Sequence, residues 1–374
     1  MNKKILEYPL EKRVAILMDF DLTLTEEYQQ IVLFKDYLEQ IKERYDGKII
    51  NGNQVKIKNP IDYFKISDAW GIKYDGLGYI EQMIFDMNNE VLPALSNRDL
   101  REYGKQIPLS EGVPDFIQNL REEFKDECYI GFYIISVGLN EMIKGSGIAD
   151  NFDGISATKL LSLKALHNKF SEEEIKKQLK KYNLSEGADL LDIMPIDSLK
   201  YLVQPFSKTA SVIDIAKGGS KKRDDFLTNL EFLFKYNNMI YMGDGTSDIS
   251  SFAYLKKKGA TTIGVYENNM NGFLKAWRSP KIMTRLDILA PRNYKKENGL
   301  FRRVLVPTIS KMVERRCCFP PQIMDMYKKN RIIKDKTTRR LINDIENHAK
   351  KCPECELTYS LQFLFPDNSD ISNE

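Results

Sequence analysis

Short, unbroken apolar runs recur along the chain, and a polar or acidic residue closes each of the first three. They cover residues 14–18 (Val-Ala-Ile-Leu-Met), 128–135, 239–242 and 261–265. A run without polar alternation predicts a strand covered on both faces, as in a parallel sheet. Helical periodicity fills 113–124, 208–217 and 224–236. Strands alternating with helices predict an α/β layered fold. The residues that close the runs, Asp19, Ser136 and Asp244, then gather beyond the carboxyl ends of the strands, where open α/β sheets bind ligands.

Two connections are longer than the ~30 residues a βαβ unit takes. The first holds an inserted unit at residues 26–110. Its opening helix carries Ile31, Val32, Phe34, Tyr37, Leu38 and Ile41 on one broad apolar face. Asn51-Gly52 between Ile50 and Val55 predicts a hairpin turn. The second is a smaller, charged, helical insertion near 160–200, with a helix over 171–182. The core is then residues 1–25 plus 111–280. Residues 281–374 carry 19 Lys/Arg against 12 Asp/Glu, and Pro291, Pro307, Pro320 and Pro321 break them into short pieces. They read as a basic C-terminal extension with a polar tail.

Composition narrows the class. A chain of 374 residues accommodates two or three domains. Its 56 Lys/Arg nearly balance 53 Asp/Glu, which argues against a dedicated nucleic-acid binder. No window approaches the ~18 apolar residues of a membrane span, so no membrane partner is expected. The basic start lacks the apolar stretch of a signal peptide. Five cysteines, an odd number with Cys317 and Cys318 adjacent, point to a reducing compartment and a cytoplasmic location.

Four features carry chemistry. Asp19-Phe20-Asp21-Leu22-Thr23 sets two carboxylates two residues apart just after a buried strand. A divalent cation with hard oxygen ligands would stabilise them, and a carboxylate there could attack phosphorus while its neighbour handles protons. Carboxylates capping a turn are the plain alternative. Met242-Gly243-Asp244-Gly245-Thr246-Ser247-Asp248 adds a glycine-flanked ligand, with Asp248 one helical turn on; a surface turn with Asp248 as a helix cap is the alternative. Ser136-Val137-Gly138 offers a hydroxyl and backbone N–H groups to a phosphate, or simply caps a helix. Lys208, opening a helix that ends near Gly218-Gly219, could pair with a carboxylate and a phosphate; Lys217, Lys221 and Lys222 compete for that role.

In this order the four features resemble the motifs of the haloacid dehalogenase-like hydrolase superfamily. Ile134-Ile135-Ser136-Val137-Gly138 and Asn151-Phe152-Asp153-Gly154-Ile155-Ser156-Ala157 look most like its phosphoserine-phosphatase-like branch. The resemblance spans about residues 12–270. It implies a Rossmann-like core with residues 26–110 as a mainly helical cap. It implies Asp19 as nucleophile and Asp21 as general acid/base. Mg²⁺ would be held by the Asp19 carboxylate, the Asp21 backbone carbonyl and Asp244, with Asp248 supporting the metal shell. Ser136, Val137, Gly138 and Lys208 would bind phosphate. The implied activity is hydrolysis of a small phosphorylated metabolite through an aspartyl-phosphate. One departure bears on substrate: the branch has a Glu nine residues after the nucleophile, and Tyr28 stands there.

Three other readings compete. The same aspartyl-phosphate could pass phosphate to a sugar, as a phosphotransferase or mutase. The basic C-terminal region, with Lys328, Lys329, Arg331, Lys334, Lys336, Arg339 and Arg340, could bind nucleic acid or an acidic partner, though an amphipathic helix with Ile332, Ile333 and Leu341 is simpler. His348, Cys352 and Cys355, with Cys317 or Cys318, could hold zinc, on the strength of a single Cys-x-x-Cys.

Overall fold

A computed structural model describes residues 3–70, 78–225, 227, 231–295 and 299–313 of the chain. Its strands are β1 (Arg13–Met18), β2 (Ile49–Ile50), β3 (Asn53–Gln54), β4 (Tyr129–Leu139), β5 (Gly154–Leu161), β6 (Ser198–Tyr201), β7 (Met239–Gly243), β8 (Thr261–Tyr266) and β9 (Ile288–Pro291). Seven of them form one sheet in the order β6-β5-β4-β1-β7-β8-β9. All neighbours run parallel except the edge strand β6, which is antiparallel to β5. With helices on both faces, this is the expected Rossmann-like α/β architecture.

The apolar runs are continuous because both faces of the sheet are covered. In β1, Val14, Ile16 and Met18 enter one core cluster while Ala15 and Leu17 enter the other, and all five are fully buried. β7 repeats the division, with Ile240 and Met242 on one side and Met239 and Tyr241 on the other. Each large apolar side chain so buried contributes about 1.5–3 kcal/mol. The register then sets the ligand edge: Met18 lies opposite Ile134 of β4 and Met242 of β7. Asp19 extends the ladder, its N–H donating to the Met242 carbonyl at 2.8 Å.

The inserted unit holds helices Ile31–Asp36, Leu38–Tyr45, Phe64–Ala69 and Gly78–Asn88 and the small β2–β3 hairpin. Asn51 and Gly52 both have positive φ at the hairpin turn, as their identity predicts. An isolated antiparallel bridge between Thr25 and Leu109 brings the two connections to this unit side by side.

Four sequence expectations need correction. The helix expected over 224–236 is absent among the described residues. Leu233 and Phe234 both donate backbone hydrogen bonds to the Ala216 carbonyl (2.8 and 3.2 Å) and bury their side chains against the sheet, so tertiary docking produced the helical spacing. The core does not stop at residue 280: β9 pairs with β8, and the helix Leu300–Met312 buries Leu305, Val306 and Ile309 in the larger core cluster. The helix Asn97–Gly104, expected in the cap, packs against the helix Asn140–Gly145, and Arg101 pairs with Glu141 and Asp192 at 2.5 Å each. Finally, β4 runs to Leu139, so Ser136, Val137 and Gly138 lie in an irregular strand end, where pairing with β5 shifts register, and not in a turn.

Candidate active site

Asp19 begins where β1 ends. Its Oδ1 accepts from the Phe20 N–H at 2.8 Å and from Lys208 Nζ at 2.9 Å; its Oδ2 receives a longer contact, 3.4 Å, from Ser247 Oγ. Lys208 is the first residue of the helix Lys208–Lys217 and is fully buried. Its ammonium also donates to Asp248 Oδ1 at 2.7 Å and to Ser247 Oγ at 2.9 Å. The rival lysines are elsewhere: Lys217 donates to the Arg223 and Asp225 carbonyls, and Lys221 and Lys222 sit in a short 3-10 turn of which no residue is buried.

Asp248 is anchored from several sides. Tyr241 OH donates to its Oδ1 at 2.7 Å, and the Gly245 N–H approaches Oδ2 at 3.4 Å. Gly243 is required for this fit, since a Cβ there would stand 2.2 Å from Asp248 Oδ2. Two donors thus converge on Asp248 Oδ1, one of them Lys208, so Asp248 positions the lysine as well as facing Asp19 and Asp244. Asp19, Asp244 and Asp248 each bring a carboxylate oxygen within 4.8 Å of the others. Asp21 is not among these three side chains; the resemblance assigns it a backbone carbonyl.

The electrostatics follow from three acids around one lysine. Burial pushes the Asp19 carboxyl well above its usual range, the Asp248 charge adds to this, and Lys208 opposes it. Burial, then Asp248, raises Asp244 to about 7. Burial alone would lower Lys208, but the Asp19 and Asp248 charges outweigh it and hold the ammonium above its ordinary value. One cation cannot neutralise three close carboxylates. A hard divalent ion with oxygen ligands fits this donor set and would favour the ionised acids.

Asp21 lies beside this cluster and is buried. Burial raises its carboxyl to about 6, against two hydrogen bonds from Gln29 that favour the charged form. Ser136 is fully buried, and its Oγ accepts from the Gly138 N–H at 3.0 Å. The Val137 carbonyl accepts from Thr158 Oγ1 at 2.9 Å. Tyr28 is one-third exposed, and burial and the charges of Asp244, Asp21 and Asp19 raise its phenol to about 12. Its ring meets Phe64 edge-on, and Phe64 meets Tyr79 in the same way, so the inserted unit presents an aromatic wall.

Sequence reasoning missed several residues here. Arg292 Nη1 donates to the Leu22 carbonyl at 3.0 Å and Tyr294 OH to the Thr23 carbonyl at 2.8 Å. They brace the turn after Asp21, where Leu22 holds a positive φ of 56°. A Pro-Arg pair following the apolar run of β9 was the available signal. Ser247, Tyr241 and Gln29 carried none beyond their places near motifs. The candidate zinc residues Cys317, Cys318, His348, Cys352 and Cys355, and the basic cluster 328–340, lie outside the described residues. Among the described residues no helix is long and apolar enough to cross a membrane.

No protein-family model matches the chain. It is 23% identical over 308 residues to an uncharacterized protein of Borreliella burgdorferi, covering 79% of this chain and 96% of that one. Solved structures similar to it include a phospho-aspartyl intermediate analogue of phosphoserine phosphatase (14% identity, 79% of this chain and 98% of that chain, TM-score 0.42). Another is a probable phosphoserine phosphatase from Vibrio cholerae (12%, 82% and 68%, TM-score 0.43). A third is L-2-haloacid dehalogenase from Xanthobacter autotrophicus (10%, 78% and 98%, TM-score 0.35).

Proposed function

We propose that the protein is a Mg²⁺-dependent phosphomonoester hydrolase acting on a small phosphorylated metabolite through an aspartyl-phosphate on Asp19. The observation that carries this is the gathering of Asp19, Asp244 and Asp248 within 4.8 Å of one another at the carboxyl edge of the sheet, with the buried Lys208 paired to Asp19 and Asp248. Phosphoryl transfer asks for in-line placement and charge neutralisation, which this cluster would support once a divalent cation joins Lys208.

In the first step an Asp19 carboxylate oxygen bonds to phosphorus as the bond to the leaving alcohol breaks, and Asp21 gives its proton to that alcohol. In the second, water attacks phosphorus, the bond to Asp19 breaks, and Asp21 takes the water proton. Lys208 holds Asp19 in place and offsets charge on the transferring group. Mg²⁺, held by Asp19, the Asp21 carbonyl and Asp244, would supply further charge neutralisation. Ser136, Val137 and Gly138 would meet the phosphate. The cap would close over the substrate and limit premature access of water. With Tyr28 where the phosphoserine phosphatases carry Glu, phosphoserine is a poor fit, and the aromatic wall favours a different non-phosphate portion.

A panel of phosphomonoesters assayed with Mg²⁺ and with chelator tests this. Phosphate release that requires Mg²⁺, with an enzyme-bound phosphate labile to hydroxylamine, is the expected result. No release from any member of the panel would sink the proposal.

A further inference from the structure

Gln29 lies at the end of the segment that leads from the core into the inserted unit, two residues before the helix Ile31–Asp36, and it is completely buried. Its backbone N–H donates to Asp21 Oδ1 at 2.7 Å, and its Nε2 donates to Asp21 Oδ2 at 3.2 Å. At its other end, Oε1 accepts from the Leu139 N–H at 2.9 Å. An N–H can only be met by the carbonyl end of the amide, so this last bond fixes which way the carboxamide faces. Among the described residues, the hydrogen bonds that Asp21 accepts all come from Gln29. The carboxamide passes directly over Gly138. A Cβ on that residue would stand 1.9 Å from Gln29 Nε2 and 3.1 Å from Asp21 Oδ2. The glycine thus keeps open the space in which the bridge lies.

We infer that Gln29 is a positioning residue: its carboxamide, spanning Asp21 and the Leu139 N–H across Gly138, aims the Asp21 carboxyl at the leaving oxygen and makes that aim depend on the seating of the segment leading into the cap. The inference deepens the phosphatase reading and rests on it. Two parallel hydrogen bonds from one residue hold a carboxyl against rotation, and proton delivery requires placement within hydrogen-bond reach of the leaving group. Because Gln29 is anchored to β4 at its far end, a shift of this segment would carry the donor pair away from Asp21. A residue that only satisfies the Leu139 N–H would contribute stability and nothing to the leaving-group step.

Leaving-group dependence separates these roles. Phenyl phosphates bearing nitro, hydrogen or methoxy at the para position share a shape but differ in how much the departing oxygen needs a proton. Their kcat/KM values, measured with Mg²⁺, report the step up to phosphoenzyme formation. Wild-type enzyme is expected to show a shallow dependence on the leaving group. Gln29→Leu should steepen it, with phenyl and methoxyphenyl phosphate losing about 10-fold or more and p-nitrophenyl phosphate staying within about threefold. A parallel loss across the series, or no loss, overturns the role of Gln29 and leaves the phosphatase reading standing. Wild-type enzyme that cleaves none of the series overturns that reading and this inference with it. If Gln29→Leu fails to show a cooperative melt, Gly138→Ala is read on the same series. It displaces the carboxamide from the opposite side and should steepen the dependence alike; an unchanged slope there counts against the bridge.

Discussion

Two regions of the molecule take carboxylates out of solvent, and they satisfy them in opposite ways. In the cap, Asp86 of the helix Gly78–Asn88 is surrounded by neutral donors. Tyr45 OH donates to one oxygen; Tyr63 OH (2.6 Å) and Gln82 Nε2 (3.0 Å) donate to the other. Tyr63 stacks on Phe34 at 4.0 Å, so the arrangement is locked into the apolar packing. At the sheet edge, Asp19 and Asp248 share one lysine and a few hydroxyls with Asp244 close by, and negative charge is left over. A complete donor set around one acid is what a structural carboxylate needs. A surplus of acids around one cation is costly unless something else binds. The cap cluster is finished by the protein alone, whereas the edge cluster leaves more carboxylates than its one lysine can neutralise.

The sharpest way to break this contrast is to remove one acid from the edge. Asp19→Asn should lower turnover by on the order of 10³-fold or more while the melt stays unchanged or rises, because a buried negative charge is lost. Retained turnover would remove Asp19 as nucleophile. Lys208→Met attacks the same cluster from the cationic side. Losing one partner of a buried pair leaves the others uncompensated, which costs about 3–5 kcal/mol. Activity and stability should therefore fall together, in contrast to Asp19→Asn. Equal melting temperatures for Lys208→Met and wild type would show that the lysine is not the neutralising group.

In the cap the expected signs reverse. Asp86→Leu strands the hydroxyls of Tyr45 and Tyr63 and the amide of Gln82, at a cost of about 1–3 kcal/mol for each buried group left unpaired. The melt should fall by several degrees while kcat on the best panel substrate stays within about threefold. A loss of kcat comparable to that of Asp19→Asn, without a loss of stability, would place Asp86 in the chemistry and erase the distinction.

The same contrast explains what was legible in the sequence. The edge cluster is built on strand ends, and strand ends follow from local pattern: the apolar runs located β1, β4, β7 and β8 and thereby Asp19, Ser136 and Asp244. Lys208 and Asp248 were reachable because each sits at a fixed offset from a helix start or a glycine turn. Asp86 gave no signal, since only Gln82 lies on its own helix, while Tyr45 and Tyr63 come from separate segments that tertiary packing brings to it. Gln29, Arg292 and Tyr294 were hidden for the same reason. Arg292 reaches the Leu22 carbonyl from just past the end of a strand that sequence pattern placed outside the core. Pro291 suggested a break, yet a proline is tolerated at the end of an edge strand, and β9 ends on it.

The gentlest test leaves every residue in place and changes only pH. Burial holds Asp21 at about 6 and Asp244 at about 7, and Asp19 is shifted in the same direction, all above the usual 3.8. A carboxyl whose folded value is raised binds its proton more tightly folded than unfolded. Its contribution to stability is therefore fully present below the unfolded value and is lost as pH rises through the folded one. In chelator, the melting temperature should climb as pH falls from about 8 toward 5, by an amount equivalent to on the order of 1–3 kcal/mol. Carboxylates with lowered values, such as Asp62 and Asp99, oppose this only at more acidic pH. Mg²⁺ should flatten or invert the trend, because a cation that needs the ionised acids adds most stability at high pH and least where protons compete with it. Asp19→Asn should flatten the chelator curve. Identical pH profiles with and without Mg²⁺ would mean that the surplus charge at the sheet edge is not what holds the ion.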